Sequence, residues 1–143
     1  MTNELLDGLT LHHIGIVVGD LDVAADRYRR LGFGEPEWHD VPEQGVRVVS
    51  FQAGRGHLEL MSPTSPDSGI ARFLASRGDG IHHVAYGVPD LEGALRRLAG
   101  AGFELIDTVP RRGIHGWRVA FVHPRSCNGV LTELVEVGTP DAE

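Results

Sequence analysis

The chain has 143 residues, 41% of them apolar and 23% charged, with a formal net charge of −7. That length fits one compact domain, or two small half-domains sharing a core, burying roughly two thirds of its unfolded surface, and the acidic balance argues against a nonspecific nucleic-acid binder. All thirteen Lys-plus-Arg residues are Arg, which excludes lysine Schiff-base chemistry and a P-loop, and the lone Cys127 excludes an internal disulfide and a multi-cysteine zinc site.

A first strand is expected over residues 13–18, inside LHHIGIVV, with Asp20 next as a helix N-cap whose carboxylate accepts an otherwise orphan backbone N–H. Leu21, Ala24, Ala25, Tyr28 and Leu31 recur at helical spacing, and Gly32 stands where a left-handed C-terminal residue is wanted. Three shorter strands are expected to follow, over residues 35–38, 46–51 and 57–61. The connector MSPTSPDSGIARFLASRGDG opens on Ser and Pro turns and carries a short helix marked by Ile70, Phe73 and Leu74. The pattern then restarts. A strand over 84–88, an N-cap at Asp90 and a helix through Leu91, Ala94, Leu95 and Leu98 precede strands over 105–108, 117–122 and 130–137.

Set at an offset of 70, residues 11–34 and 81–104 share His12, His13, Val18, Asp20, Leu21, Ala24, Arg27, Gly32 and Phe33 as identical positions. Repetition on this scale governs the fold reading: an α+β protein of two tandem βαβββ modules. One domain over residues 1–143 is expected, with module one at about 9–62, a connector at about 63–79 and module two at about 80–138.

Strand parity then sorts the side chains. His13, Gly15 and Val17 share one face, and His83, Ala85 and Gly87 share the corresponding one; His12, His82 and the bulky aliphatic residues lie opposite and read as structural. Small residues beside a histidine leave space above a sheet for a metal or substrate. In HLELM and LTELVEV the same parity gives each module one strand carboxylate, Glu59 and Glu133, costly to bury unless paired or bound to a cation. Two His and two Glu make a ligand set for a divalent ion with positions left open. His39, His57, His115 and His123 have no partner in the repeat and read as loop or strand-end residues.

Together, LHHIGIVVGDLDVAADRY, PEQGVRV, HLELMSP, GDGIHHVAYGV, HGWRVAFVHPRS and GVLTELVE resemble the vicinal oxygen chelate superfamily, and within it the methylmalonyl-CoA epimerases. The resemblance runs from about Leu11 to Val137. It implies a glyoxalase/bleomycin-resistance-like cupped mixed sheet around a metal site whose ligands are His13, Glu59, His83 and Glu133. It also implies interconversion of (2R)- and (2S)-methylmalonyl-CoA by C2 proton abstraction through a metal-stabilised enolate, with Glu43 and Glu133 as the acid–base pair. Glu43 enters by resemblance alone, since an acidic residue in a Pro-Gly turn is ordinarily solvated. Some relatives carry Gln at the position of Glu59, and their HPKS reads HPRS here, with Arg125 for Lys.

The implied cofactor is a divalent ion, Co2+ first and Mn2+, Ni2+ or Zn2+ as alternatives. The implied partners are an acyl-CoA substrate and a second copy of the chain, with no nucleic acid and no membrane. Arg111, Arg112 and Arg125 stand open as contacts for CoA phosphates. No apolar run reaches the roughly 18 residues that span a bilayer, and the first residues lack a signal-peptide layout, so a cytoplasmic location is expected. A glyoxalase-I-like isomerase and a non-catalytic ligand-binding module of the drug-resistance type remain the rival readings.

Overall fold

The two His-His stretches each fold into a strand, and each strand opens the same sequence of elements. The structure, a computed structural model, describes residues 4–138. The chain divides into two units, His13–His82 and the residues on either side of it.

In His13–His82 the elements are β1 (Thr10–Val17, which enters from the other unit), α1 (Leu21–Tyr28), β2 (Glu37–Val41), β3 (Val46–Ala53), β4 (Gly56–Pro63) and α2 (Gly69–Arg77). The strands lie in the order β2-β3-β4-β1, with β3 antiparallel to both neighbours and β4 parallel to β1. The other unit repeats this with β5 (Gly80–Val88), α3 (Leu91–Gly100), β6 (Arg111–Arg112), β7 (Arg118–Val122) and β8 (Thr132–Glu136). Its order is β6-β7-β8-β5, and β8 runs parallel to β5. Each unit is therefore a βαβββ module, and the class is α+β.

Both first helices start where an aspartate can serve the backbone. The Val23 N–H donates to Asp20 Oδ1 at 3.0 Å, and the Gly93 N–H donates to Asp90 Oδ1 at 3.0 Å. Such a cap stabilises a helix by about 1 kcal/mol. Each helix then buries one face. Leu21, Ala24 and Ala25 pack with Val49, Phe51, Leu58 and Leu60, and Ile14 and Ile16 pack against that cluster; Leu91, Ala94, Leu95 and Leu98 meet Ala120, Val122 and Leu134 in the same way. Ile14 and Ile16 thus belong to the helix-covered face of β1, which leaves His13, Gly15 and Val17 on the other.

Several boundaries differ from the sequence expectation for identifiable reasons. Leu31 was expected on the buried face of α1 but is 73% exposed. The helix gives way at Arg29 to a π-turn over Arg29–Phe33. The wider turn changes the angular phase, so Phe33 packs on the core instead. β2 starts at Glu37, because Pro36 before it has no N–H to give a ladder. The strand expected over 105–108 is reduced to an isolated Leu105–Val122 bridge. There the Ile106 and Asp107 N–H groups both donate to Phe121 O, and Asp107 Oδ2 accepts the Phe121 N–H at 2.8 Å, so a side chain replaces the ladder carbonyl. Pairing resumes beyond Pro110 at Arg111–Arg112. β7 begins one residue later than expected, and β8 is shorter at both ends. The connector helix forms over Gly69–Arg77, capped by Ser68 Oγ accepting the Ala71 N–H.

Candidate functional site

Among the described residues, five polar side chains are buried: His13 (2% exposed), Ser50 (9%), Glu59 (2%), His83 (5%) and Glu133 (6%). Four of them are the histidines and glutamates that strand parity singles out.

In His13–His82 the β1–β4 register sets Gly15 opposite Glu59 and His13 opposite His57. Across the antiparallel pair, Ser50 faces Glu59. His13 therefore lies one strand over and two residues along from Glu59 on one sheet face, roughly 8 Å between Cα positions from ordinary strand spacing. The neighbours of Glu59 are the small Gly15 and Ser50, so the carboxylate is not crowded from either side.

The other unit reproduces this register. Ala85 faces Glu133 across β5–β8, and Phe121 faces it across β7–β8. His83 Nε2 stands 3.1 Å from Glu133 Oε1. Phe121 closes the far side of this pair, its ring edge-on to His83 with centroids 5.9 Å apart. Each unit thus delivers one buried imidazole and one buried carboxylate at matching positions on the face away from its helix. A buried carboxylate costs several kcal/mol unless a cation or hydrogen bonds meet its charge.

His12 and His82 lie on the opposite faces. The His12 ring sits edge-on to Trp117 at 4.7 Å and His82 edge-on to Phe73 at 5.1 Å. His39 lies in β2 opposite Val48, His115 adopts a left-handed backbone (φ 66) beside Trp117, and His123 Nδ1 accepts the Arg125 N–H. His57 is a strand-end residue, yet it registers directly with His13 on the face of Glu59, and the repeat gives no signal for it because module two has Leu131 there.

Glu43 is exposed, in a short helical turn over Pro42–Gln44 that precedes β3. The turn is fixed by Gly45. Its φ of 67 suits glycine, its N–H donates to Pro42 O at 3.0 Å, and its carbonyl accepts the Thr64 N–H at 2.8 Å. Val46 at the head of β3 pairs with Pro63, whereas Ser50, opposite Glu59, is four residues further in. That separation is about 13 Å along the strand, so the fold does not place Glu43 beside Glu59 in the ladder.

Of the three arginines left open, Arg125 Nη1 donates to Glu104 Oε1 at 2.9 Å. Arg112 registers with Arg118, whose guanidinium meets Glu136 at 2.7 Å and Glu92 on α3 at 3.3 Å, interactions that hold Arg118 further above its ordinary pKa. Arg111 registers with Val119.

Residues 12–121 match the glyoxalase/bleomycin resistance protein/dioxygenase superfamily. The chain belongs to this superfamily. Within it, the chain is 42% identical over 127 residues to the uncharacterised protein YqjC of Bacillus subtilis, covering 88% of this chain and 91% of that one. It is 40% identical over 132 residues to the ethylmalonyl-CoA/methylmalonyl-CoA epimerase of Cereibacter sphaeroides, covering 89% and 97%. A solved structure of a Streptomyces coelicolor methylmalonyl-CoA epimerase variant in complex with 2-nitronate-propionyl-CoA superposes with a TM-score of 0.82 at 36% identity, covering 94% and 96%. The two superfamily members here that carry a named activity are epimerases, a class of isomerase.

Proposed function

We propose that this protein is a divalent-metal-dependent epimerase that interconverts (2R)- and (2S)-methylmalonyl-CoA, with His13, Glu59, His83 and Glu133 holding one ion. The observation that carries the reading is the duplicated register: each module buries one His and one Glu on its helix-free face. Two imidazoles and two carboxylates suit Co2+, and also accept Mn2+, Ni2+ or Zn2+. Two carboxylates balance a doubly charged ion, which offsets the cost of burying them. Co2+ is the ion proposed.

The proton at C2 lies between a thioester and a carboxylate, and its removal drives negative charge onto the thioester oxygen. The bound ion supplies Lewis-acid stabilisation of that charge, worth several kcal/mol. The chain's own residues move the proton. One glutamate, Glu133, takes the C2 proton while the C–H electron pair delocalises into the thioester, and Glu43 in its protonated form returns a proton to C2 from the opposite face. The reverse direction exchanges the two roles. Glu133 Oε1 stands 3.1 Å from His83 Nε2, so the two donors already converge. Glu43 reaches the substrate from an exposed turn, which suits a group that must re-equilibrate its proton with solvent.

The reading further takes the enzyme as a cytoplasmic homodimer that also accepts ethylmalonyl-CoA, since one methylene is worth only about 1 to 3 kcal/mol of discrimination. Among the described residues no helix is long and apolar enough to cross a membrane.

The test is to incubate Co2+-loaded protein with methylmalonyl-CoA in D2O and follow deuterium at C2. Incorporation with conversion of one epimer into the other is expected. No exchange with any of the four ions overturns the proposal, and turnover of the glutathione hemithioacetal of methylglyoxal in its place selects the glyoxalase-I-like rival.

A further inference from the structure

One imidazole on the site face of module one has no part in the proposed ligand set. β1 and β4 run parallel with His13 opposite His57 and Gly15 opposite Glu59, and residues directly opposite on neighbouring strands share a face. His57 therefore stands beside His13 in one row and two residues from Glu59 along its own strand, flanking both ligands that this module offers. On the far side of His57, β3 supplies Gln52, whose amide Nε2 donates to Gly54 O at 2.8 Å in the β3–β4 hairpin. The His57 side chain is half-buried, and its Nδ1 is closed off from solvent.

A ring that gives one nitrogen to an ion keeps an N–H on the other, and an acceptor for that N–H fixes the ring's tautomer and direction. A neutral imidazole is a suitable acceptor, because one of its nitrogens carries no proton. Module two meets its histidine differently. Val84 registers with Thr132, which puts Leu131 at the position of His57, and His83 Nε2 lies 3.1 Å from Glu133 Oε1. His13 thus has an imidazole beside it where His83 has an alkyl side chain. A role for His57 as a further ligand fits the chemistry less well. An octahedral ion held by four protein donors keeps two positions for a chelating substrate, and a fifth donor would close one of them.

We propose that His57 is a positioning residue for the metal centre: its imidazole accepts the N–H of His13 and so sets the tautomer and aim of that ligand. The inference rests on the metal reading above. The proton stays on His13, and His57 makes no bond to the ion.

The test compares His57→Leu, which gives module one the side chain that module two carries at this position, with His57→Gln, whose amide oxygen is again an acceptor. Calorimetric titration of the chelated proteins with Co2+ is expected to show binding weakened roughly 10- to 100-fold in His57→Leu, the usual cost of losing the partner behind a ligating histidine, with part of the loss recovered in His57→Gln. Arg55→Gln in the exposed β3–β4 hairpin changes nothing. Proton NMR of the Co2+-loaded protein in H2O adds a readout that packing alone does not move. The paramagnetic ion shifts the N–H protons of ligating imidazoles far downfield, and the His13 signal is expected to exchange with water faster in His57→Leu than in wild type, while the His83 signal is unchanged. Wild-type affinity and wild-type exchange in His57→Leu overturn the proposal. A further shifted imidazole N–H in wild type that disappears in His57→Leu makes His57 a ligand and overturns it too, as does equal weakening in both variants, which assigns the position to packing. A wild type that takes up none of Co2+, Mn2+, Ni2+ and Zn2+ removes the metal reading together with this one; a wild type that takes up Co2+ beside His57 variants that match it removes His57 alone.

Discussion

Stripping the divalent ion from the loaded protein is expected to lower its thermal midpoint, and the structure sets the scale. The proposed ligands are residues 13, 59, 83 and 133, so the unfolded chain offers no assembled site and ion binding acts almost wholly on the folded state. At an ion concentration about 100 times Kd the gain is about 2.7 kcal/mol, which for a chain of this size is a rise of about 8 °C. The burial of the donors gives the effect a signature beyond its size. Glu59 is 2% exposed, so Glu59→Gln keeps an oxygen donor but removes a buried charge that would balance the ion: it should shrink the ion-dependent rise without abolishing it. Calorimetric melts of chelated and reloaded protein, wild type beside Glu59→Gln, read both the rise and its reduction. A midpoint indifferent to saturating Co2+, Mn2+, Ni2+ and Zn2+, or a Glu59→Gln variant that keeps the full rise, would refute the reasoning.

Glu43→Gln should lose deuterium incorporation at C2 while retaining stoichiometric metal, and full exchange in that variant removes Glu43 from the mechanism. Phe51→Ala, which empties a fully buried position between Tyr28 and Phe33, should cost about 3 to 5 kcal/mol in urea denaturation, and a cost under about 1 would mean that the site collapses. The hydrogen bond from Arg29 holds the Asp26 carboxyl below its ordinary value, so its stabilisation is complete above the ordinary carboxylate range and is lost as pH falls through the depressed value. Both groups are exposed, so Asp26→Asn should flatten the acid limb of urea midpoint against pH only slightly, and less in high salt; a steeper acid limb contradicts the assignment.

The repeat made the module order legible, because Asp20 and Asp90 mark helix starts by a local hydrogen bond that needs no tertiary context. Parity likewise placed His13, Glu59, His83 and Glu133 on the faces that prove buried, since the period of a strand is fixed by its backbone. Legibility failed where the backbone departs from a period. The π-turn put Leu31 outside and Phe33 inside, and the Asp107 side chain displaced a strand that residue composition favours. Arg111 could not be told from Arg112 by pattern, because a two-residue strand shows no alternation; only the ladder to Val119 separates them. Glu43 carries no local signal at all, being one exposed acid among twenty Asp and Glu.

The hydrogen bond from Thr64 to Gly45 bears on how freely this protein could be rebuilt. A methyl group on Gly45 would come within 3.0 Å of Ser65 Cβ, so the turn that carries Glu43 rests on the first residues of the connector. Residues 64–68 therefore behave as a gauge block for that turn and not as slack between two copies of a module. An extra residue inserted there, or a graft of module one onto a different connector, would misaim the proposed proton carrier while leaving the buried histidines and glutamates where they are. Loss of C2 exchange with undiminished metal uptake is the outcome to look for.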